Sequence, residues 1–586
     1  MKIISKSAFS MAMLLGASVS MATAGQAITG NFFDENGAYF GPDCESNGSQ
    51  STGSFYTGNY TSPFIKYLGK TEAEIQAKLD QMWNHYFKGD DNSKVYFETN
   101  DGAYIEDIRN QDVRSEGMSY GMMIAVQTNH REEFDKIWNY AKNRMWHKGG
   151  DWDGYFSWQL KLNGGSDEKP APDGELYFMM SLLFAANRWN DSQYMSDAQY
   201  IMDKMWNNYK YKLFNQQYYI VTFQPTPGNT DFSDPSYDLP AFLELFSRWA
   251  ENDQDKWSKA LQATRDHLYV SSHKTTGLFT DYNNFDGTPH SGFDSNNPSD
   301  TYMFDAIRCA MNFGMDYYLF GADATRQTEM AKRIIDFFDK DNYSHAHFTW
   351  DGQLVNNHQY DGYTIGQAGA NAVATYALLD DASYKDKITK NLKLAWDANL
   401  LTGNNRYYDG LVHYLAMLHL TGNFKIWKPK PSVESKTVDA NVYNGVTYNK
   451  ETTIHSFESC KLYEVKITGN ASNGTISSSS TGTDISSSAG NSDSVTPGSN
   501  GSSVNDPNSP SAIGGHLALN SGVRVRSNNH SIVIENALPD TKYMIADLNG
   551  RVLKSSRIHS TSQEIRLNNR GPMLVIVGNK TFKIMK

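Results

Sequence analysis

The sequence predicts an all-α catalytic domain built as an (α/α)6 barrel, followed by a small C-terminal β-sandwich-like module. Two observations carry this prediction. Apolar residues recur at helical spacing in twelve stretches between residues 71 and 422. After residue 513 they alternate with polar residues instead, as they do in strands, and a Ser-, Gly- and Asn-rich run separates the two patterns.

The helical region is justified stretch by stretch. In the first stretch, for example, Ile75, Leu79 and Met82 fall on one helix face. Alternating short and long connections predict six helical hairpins, and a closed ring of hairpins buries one stripe of every helix. An open helical array gives the same pattern. The twelve stretches are 71–88, 115–129, 131–147, 173–190, 195–208, 236–250, 253–270, 301–320, 323–340, 363–380, 382–400 and 408–422.

Composition shifts divide the chain into five segments. Residues 1–24 read as a signal peptide, with Lys2 and Lys6 ahead of a short apolar run and a small-residue cleavage site. That run is too short to span a bilayer, so we expect a secreted or cell-surface protein with no transmembrane segment. The remaining segments are the barrel at 25–430, a short β segment of open role at 431–468, a flexible linker at 469–512 and the β module at 513–586.

The overall composition excludes some functions and favours another. A net charge of −12 argues against nucleic acid as a partner, because the phosphate backbone is negative. Twelve Trp and 35 Tyr suit a groove that stacks on sugar rings, although a Tyr-rich core explains them equally well. Three widely spaced cysteines, Cys44, Cys309 and Cys460, predict neither a metal site nor a disulfide framework.

Glu116 is the first candidate for chemistry. It follows Ser115, which has the character of a helix cap, and it lies in the first turn of a very apolar helix. Gly117 and Gly121 share one helix face, which either gives a substrate access to Glu116 or permits tight packing of a neighbouring helix. The helix dipole favours a charged Glu116, so a role as proton donor requires burial to dominate.

Three further segments carry candidate residues. Asp173 looks like the N-cap of the helix that follows it. Asp305 and Arg308 lie at i and i+3 on one helix, where the guanidinium would keep Asp305 ionised. Tyr237 lies in the segment that opens another helix, where it is placed either to hold a water molecule or to pack at the edge of the core.

A metal or cofactor is not expected. His345 and His347 form the one close histidine pair, and no third ligand lies near them in the sequence. No phosphate-binding loop, nucleophile elbow or zincin motif occurs either.

Four motifs resemble those of glycoside hydrolase family 8. They are RSEGMSYGM at 114–122, APDGE at 171–175, DPSYDLPAF at 234–242 and FDAIR at 304–308, and the likeness spans roughly residues 30–428. The resemblance implies an (α/α)6 barrel and an inverting mechanism. It also implies that Glu116 is the general acid and Asp305 the general base, with Asp173 binding the sugar and with Tyr237 and Arg308 positioning the water and the base.

Within this family the sequence is most similar to xylanases and to exo-enzymes that release xylose from the reducing end of xylo-oligosaccharides. The resemblance therefore implies cleavage of β-1,4-xylosidic bonds. An endoglucanase, a chitosanase or a carbohydrate-binding protein without activity are the alternatives, and a polysaccharide lyase on a similar barrel is another. The exo-enzymes close their cleft with a loop, and the corresponding stretch at 356–363 does not match it, which leaves endo or exo action open.

The last strands, GNKTFKIMK at 578–586, resemble the C-terminal sorting domain of the type IX secretion system of Bacteroidota. This resemblance implies that the secretion machinery is a partner and that the module is removed or exchanged for a surface anchor.

Overall fold

The computed structural model describes residues 27–45, 51–292, 298–355 and 362–469, and then the strands between residues 524 and 585. The chain divides into two compact units, residues 1–476 and 477–586. The predicted signal peptide, nearly all of the predicted linker and residues 356–361, in the stretch that corresponds to the cleft loop of the exo-enzymes, lie outside the described residues. No helix in the described ranges is long and apolar enough to cross a membrane.

All twelve predicted helical stretches contain a helix, and two short helices, Ser54–Thr57 and Pro63–Leu68, precede them. The bounds differ most where a stretch begins at a short strand or a 3₁₀ turn. The twelve helices are Glu72–Tyr86, Ser115–Gln127, Arg131–Arg144, Pro172–Trp189, Ser192–Asn207, Pro240–Trp249, Gln254–Ser271, Arg308–Phe320, Ala324–Lys340, Ile365–Ala374, Lys385–Asp397 and Tyr408–Leu420.

The helices alternate between an inner and an outer ring. Inner helices are buried nearly all round, as in Ser115–Gln127, where every residue except Glu116 is buried. Outer helices bury one stripe, as in Ala324–Lys340, whose buried residues follow helical spacing. The inner ring closes on itself. Its contacts, in order, join Tyr120 to Tyr177, Tyr177 to Phe242, Asn312 to the Asp238 carbonyl, Gly314 to Val373, Gly369 to Ala416, and Tyr407 to Glu116.

Short strands lie in the connections between the helices of the barrel. An antiparallel five-stranded sheet comprises Tyr96–Thr99, Gly102–Asp107, Asp112–Arg114, Gln159–Lys161 and Ser166–Asp167. Two-stranded ladders pair Phe232–Ser233 with Asn283–Asn284, and Thr301–Tyr302 with Phe348–Thr349. These ladders fasten long connections that would otherwise have no regular partner.

The segment at 431–468 forms a sheet with the beginning of the described chain. The strand order is Ile28–Gly30, Thr452–Glu458, Lys461–Ile467 and Val433–Val438, and a small hairpin joins Val442–Tyr443 to Val446–Thr447. Cys44 and Cys460 form a disulfide across this region, so the prediction of no disulfide was wrong. The pairing could not be read from the sequence because it links residues 416 positions apart.

The described residues of the C-terminal unit form seven strands in two sheets. One sheet holds Arg524–Ser527, Ser531–Glu535 and Ser562–Arg566. The other holds Val552–Arg557, Lys542–Asp547, Pro572–Val577 and Lys580–Met585, in that order. Apolar side chains from both sheets, among them Ile532, Ile545 and Val575, pack into one cluster.

Candidate active site

Glu116 is the second residue of a helix that begins directly after a strand. Strand Asp112–Arg114 pairs with Gln159–Lys161, and the Ser115 amide donates to the Trp158 carbonyl at 2.9 Å. The helix therefore starts at Ser115 with Arg114 as its N-cap, and the buried Ser115 hydroxyl caps nothing. The prediction that Ser115 is the cap was wrong because the helix begins one residue earlier, directly after the strand that ends at Arg114.

Asp305 is held on a 3₁₀ turn, Phe304–Ile307, rather than within an α-helix. Strand Thr301–Tyr302 precedes this turn, and the α-helix begins only at Arg308. The predicted i to i+3 contact nevertheless forms, with Arg308 Nη2 3.1 Å from Asp305 Oδ1. About a third of the Asp305 side chain is exposed, while Arg308 is buried.

Tyr237 is also preceded by a short strand and carried by a 3₁₀ turn. The turn Pro235–Tyr237 begins after strand Phe232–Ser233, and the Asp234 carboxylate accepts from the Ser236 amide at 2.7 Å. Asn312 donates to the Ser236 carbonyl at 2.8 Å, which ties this turn to the neighbouring inner helix. Tyr237 is buried, and its ring centroid lies 6.0 Å from the Arg308 guanidinium.

Arg308 joins three of the candidate acids. Its Nη1 lies 2.7 Å from Asp173 Oδ2 and 3.4 Å from Glu116 Oε2, and its Nη2 binds Asp305. Tyr120 and Ser236 accept further hydrogen bonds from the same guanidinium. The other four predicted site residues thus lie around the buried guanidinium of Arg308.

Glu116 and Asp305 face a single cavity of about 610 Å³. Because their oxygens contact the two terminal nitrogens of one guanidinium, they are at most about 9 Å apart. Inverting glycosidases hold their two carboxyl groups about 6.5–9.5 Å apart, a range that this bound admits. The described residues that line this cavity do not include Asp173, Tyr237 or Arg308, but Arg308 contacts both Glu116 and Asp305, which do line it.

Burial dominates the ionisation of Glu116. It raises the pKa of Glu116 to about 8, the nearby Arg308 opposes the rise, and the charges of Asp173 and Asp305 add to it. Tyr407 donates a hydrogen bond to Glu116 Oε1 at 2.9 Å. At neutral pH the carboxyl therefore keeps its proton. The effect of burial outweighs that of the helix dipole, which favours the charged form, as a proton donor at a helix N-terminus requires.

Tight packing, not substrate access, accounts for the two glycines of this helix. A Cβ at Gly117 would lie 2.5 Å from the Tyr407 ring, and one at Gly121 would lie 2.7 Å from Ile105. The ring that packs against Gly117 belongs to Tyr407, which also donates to Glu116, so packing and site geometry are linked.

Asp173 does not cap its helix. The helix Pro172–Trp189 has Ala171 as its N-cap, and Asp173 lies inside the first turn. One Asp173 oxygen accepts from the Gly174 amide at 2.9 Å and the other binds Arg308. The cap prediction was wrong because proline occupies the first helical position, which moves the cap two residues toward the N-terminus, from Asp173 to Ala171.

Two polar residues at the site, Tyr407 and Tyr408, carried no sequence signal. Tyr407 contacts Glu116 across 291 positions, and Tyr408 donates to the Phe304 carbonyl at 3.0 Å. Asp281 was one of many acids in a long loop, yet it is buried and accepts from the Ala306 amide at 3.1 Å. The Gly- and aromatic-rich composition of the connection at 274–300 is a signal that could have found Asp281.

The histidine pair has ordinary polar partners. His345 Nδ1 contacts Asp341 at 2.6 Å, and His347 Nε2 contacts the Thr301 hydroxyl at 2.8 Å. Within the described ranges, no group of three or more His, Cys, Asp or Glu side chains is arranged to hold a metal ion.

The closed helical barrel and the two carboxyl groups at one cavity define a glycoside hydrolase. Residues 79–422 match the model of glycosyl hydrolases family 8, so the chain belongs to that family.

Characterised relatives come from several bacteria. The chain is 36% identical over 396 residues to a reducing end xylose-releasing exo-oligoxylanase of Halalkalibacterium halodurans, covering 65% of this chain and 98% of that protein. It is 32% identical to the enzyme of that name from Bifidobacterium adolescentis, covering 61% and 94%. The structure of Rex8A from Paenibacillus barcinonensis complexed with xylose superposes with a TM-score of 0.60 at 35% identity, covering 64% of this chain and 100% of Rex8A.

Proposed function

We propose that this enzyme hydrolyses β-1,4-xylosidic bonds in xylan or xylo-oligosaccharides with inversion, using Glu116 as general acid and Asp305 as general base. One observation carries the assignment. Two carboxyl groups face the same cavity, and burial gives Glu116 a pKa of about 8 while Asp305 contacts a guanidinium. Glycoside hydrolysis needs one protonated and one charged carboxyl group on either side of the linkage.

The chemistry follows from these two states. Glu116 gives its proton to the glycosidic oxygen as the bond from that oxygen to the anomeric carbon breaks. A water molecule attacks the anomeric carbon from the opposite face and loses a proton to Asp305. The leaving sugar gains a hydroxyl, the other fragment has the inverted anomeric configuration, and the protons return to their starting states through solvent.

The other three residues prepare this step. Arg308 orients the Asp305 carboxylate through the contact at 3.1 Å. Tyr237, on the turn that Ser236 fastens to Arg308, holds the attacking water. Each Asp173 oxygen already accepts one hydrogen bond, and a carboxylate oxygen has a second lone pair that can accept from a sugar hydroxyl.

The relatives support a short xylo-oligosaccharide as the substrate and the reducing end as the site of release. The test is a product profile on xylohexaose, xylan, glucan and chitosan, resolved by chromatography. Xylose released one unit at a time from xylohexaose supports exo action, and a spread of oligomers from xylan means endo action. Release from glucan or chitosan alone would refute the xylosidic assignment.

Site variants complete that test. Glu116→Gln and Asp305→Asn should each abolish nearly all xylohexaose hydrolysis while circular dichroism and thermal unfolding stay unchanged. Absent activity in the wild-type enzyme would favour a carbohydrate-binding protein. A product with ultraviolet absorption at the new chain end would indicate a lyase.

We also propose that residues 1–24 direct export, that residues 469–512 are a linker, and that residues 513–586 are a β-sandwich-like sorting module of the type IX secretion system. The disulfide between Cys44 and Cys460 supports export, since such bonds persist in oxidising compartments. The test is expression in a bacterium with that system, with and without residues 513–586. Retention of the shortened chain inside the cell envelope is expected, and equal surface display of both chains would contradict the proposal.

A further inference from the structure

The backbone beneath Asp305 is strained. Phe304, the residue before it, has a φ of +20°, which is rare for a residue with a side chain. Met303 is extended, so the backbone changes from an extended conformation to the 3₁₀ turn at Phe304. Such a conformation costs about 1–3 kcal/mol and persists only where the surroundings fix it.

Two polar side chains hold this strained segment from different sides. The Asp281 carboxylate accepts from the Ala306 amide at 3.1 Å, and the Asp305 amide adds to the stabilisation of the same carboxylate. The Tyr408 hydroxyl donates to the Phe304 carbonyl oxygen at 3.0 Å. The peptide that carries Asp305 is therefore held at its oxygen by one residue and on the amide side by the other.

Both anchors are themselves fixed by regular structure. The Asp281 amide donates at 3.0 Å to the carbonyl of Thr301, a residue of the short strand that leads to the turn. Asp281 is only 3% exposed and the Asp305 side chain is 30% exposed, and both residues line the cavity together with Tyr408. Tyr408 begins the last inner helix, Tyr408–Leu420. Neither anchor can move without disturbing its own element.

We propose that Asp281 and Tyr408 are positioning residues, which lock the strained turn so that the Asp305 carboxylate faces the water that attacks the bound linkage. The proposal rests on the assignment of Asp305 as general base. Both residues act through the backbone of the turn. A displacement of about 1 Å in a catalytic group costs on the order of 100-fold in rate, which is the scale of effect expected if the turn relaxes.

Asparagine separates positioning from charge at residue 281. Its side-chain carbonyl can still accept from the Ala306 amide, so Asp281→Asn keeps the contact, and Asp281→Ala removes it. Burial and the Asp305 charge both raise the pKa of Asp281, so a neutral amide suits this environment. The Asp286 carboxylate lies exposed in the same loop and binds the Thr288 amide and hydroxyl, which makes Asp286→Ala the matched control.

Kinetics on xylotriose test the proposal. Asp281→Ala should lower kcat by about 10- to 100-fold with KM within about threefold, and Asp281→Asn should restore kcat to within about threefold of wild type. Tyr408→Phe loses one hydrogen bond and should lower kcat by about 3- to 10-fold. Asp286→Ala should match the wild-type enzyme.

An aryl xylobioside with an activated leaving group shows on which side of the reaction the residues act. Such a substrate needs little proton donation, so it should recover much of the loss in Glu116→Gln and none of the loss in Asp281→Ala or Tyr408→Phe. Recovery in the last two variants, a loss confined to KM, equal losses in Asp281→Asn and Asp281→Ala, or wild-type kcat in Asp281→Ala would each overturn the proposal. Full activity in Asp305→Asn would instead refute the assignment of the base.

Discussion

Replacing Arg308 with methionine tests the buried charge arrangement most severely. The guanidinium contacts Glu116, Asp173 and Asp305 at 3.4, 2.7 and 3.1 Å, and its side chain is 3% exposed. Methionine keeps most of the apolar stem but no charge. Breaking one partner out of a buried ionic group costs about 3–5 kcal/mol, because the remaining carboxylates lose their compensation, and we expect a loss of that size at about pH 7.5.

The loss should depend on pH in a defined direction. Burial raises the folded-state pKa of Glu116 to about 8 and also raises that of Asp173, and in both cases Arg308 opposes the rise. Without Arg308 both pKa values rise further, but Glu116 is already largely protonated at about pH 7.5, so the added cost falls mainly on Asp173. A carboxyl with a raised folded-state pKa costs no stability below its unfolded pKa of about 4 and costs progressively more as pH increases toward the folded value. The penalty of Arg308→Met should therefore nearly vanish at about pH 4.

Urea unfolding followed by tryptophan fluorescence measures this penalty for the barrel alone, because all 12 tryptophans precede residue 430. The control is Arg326→Met, which removes a more exposed guanidinium paired with Asp323 and Asp266. That change should cost under about 1 kcal/mol at either pH. A penalty for Arg308→Met that is equal at both pH values, or under about 1 kcal/mol at about pH 7.5, would refute the reasoning.

Three further predictions follow from the same geometry. The rate on xylotriose should fall on the alkaline side with an apparent pKa near 8, because Glu116 must be protonated, and a fall centred near about pH 5 in that limb would contradict this. Gly117→Ala places a Cβ 2.5 Å from the Tyr407 ring, so thermal unfolding should show a loss of about 1–3 kcal/mol and kcat should fall, whereas unchanged values would mean that the helix pair has room. Replacing Cys44 and Cys460 with serine should cost about 2–5 kcal/mol in urea unfolding, and an unchanged midpoint would show that the disulfide adds no stability.

Helix periodicity was enough to predict all twelve barrel helices, because the buried face of each helix appears as apolar residues at helical spacing within a few turns. Ends were less predictable. The helix expected to begin at residue 301 starts at Arg308, since a strand and a strained 3₁₀ turn at Phe304 intervene. That interruption carries Asp305, so the local irregularity is also where function is concentrated.

Long-range pairing escaped the sequence for a physical reason. Which side chain meets Glu116 depends on ring closure, and Tyr407 arrives from 291 positions away. The disulfide between Cys44 and Cys460 likewise depends on the first strand pairing with a late one. The sequence placed Glu116 in one motif and Asp305 with Arg308 in another, and only the fold shows both carboxyl groups at the Arg308 guanidinium.

The anomeric configuration of the first product tests the central claim directly. Proton NMR of xylotriose or xylotetraose hydrolysis, recorded before mutarotation, distinguishes the two anomers at the newly formed reducing end. If Glu116 donates a proton on one face of the linkage while Asp305 activates water on the other, the β-linkage must yield the α-anomer first. An initial β-anomer would mean a covalent intermediate on one carboxylate and would contradict the account.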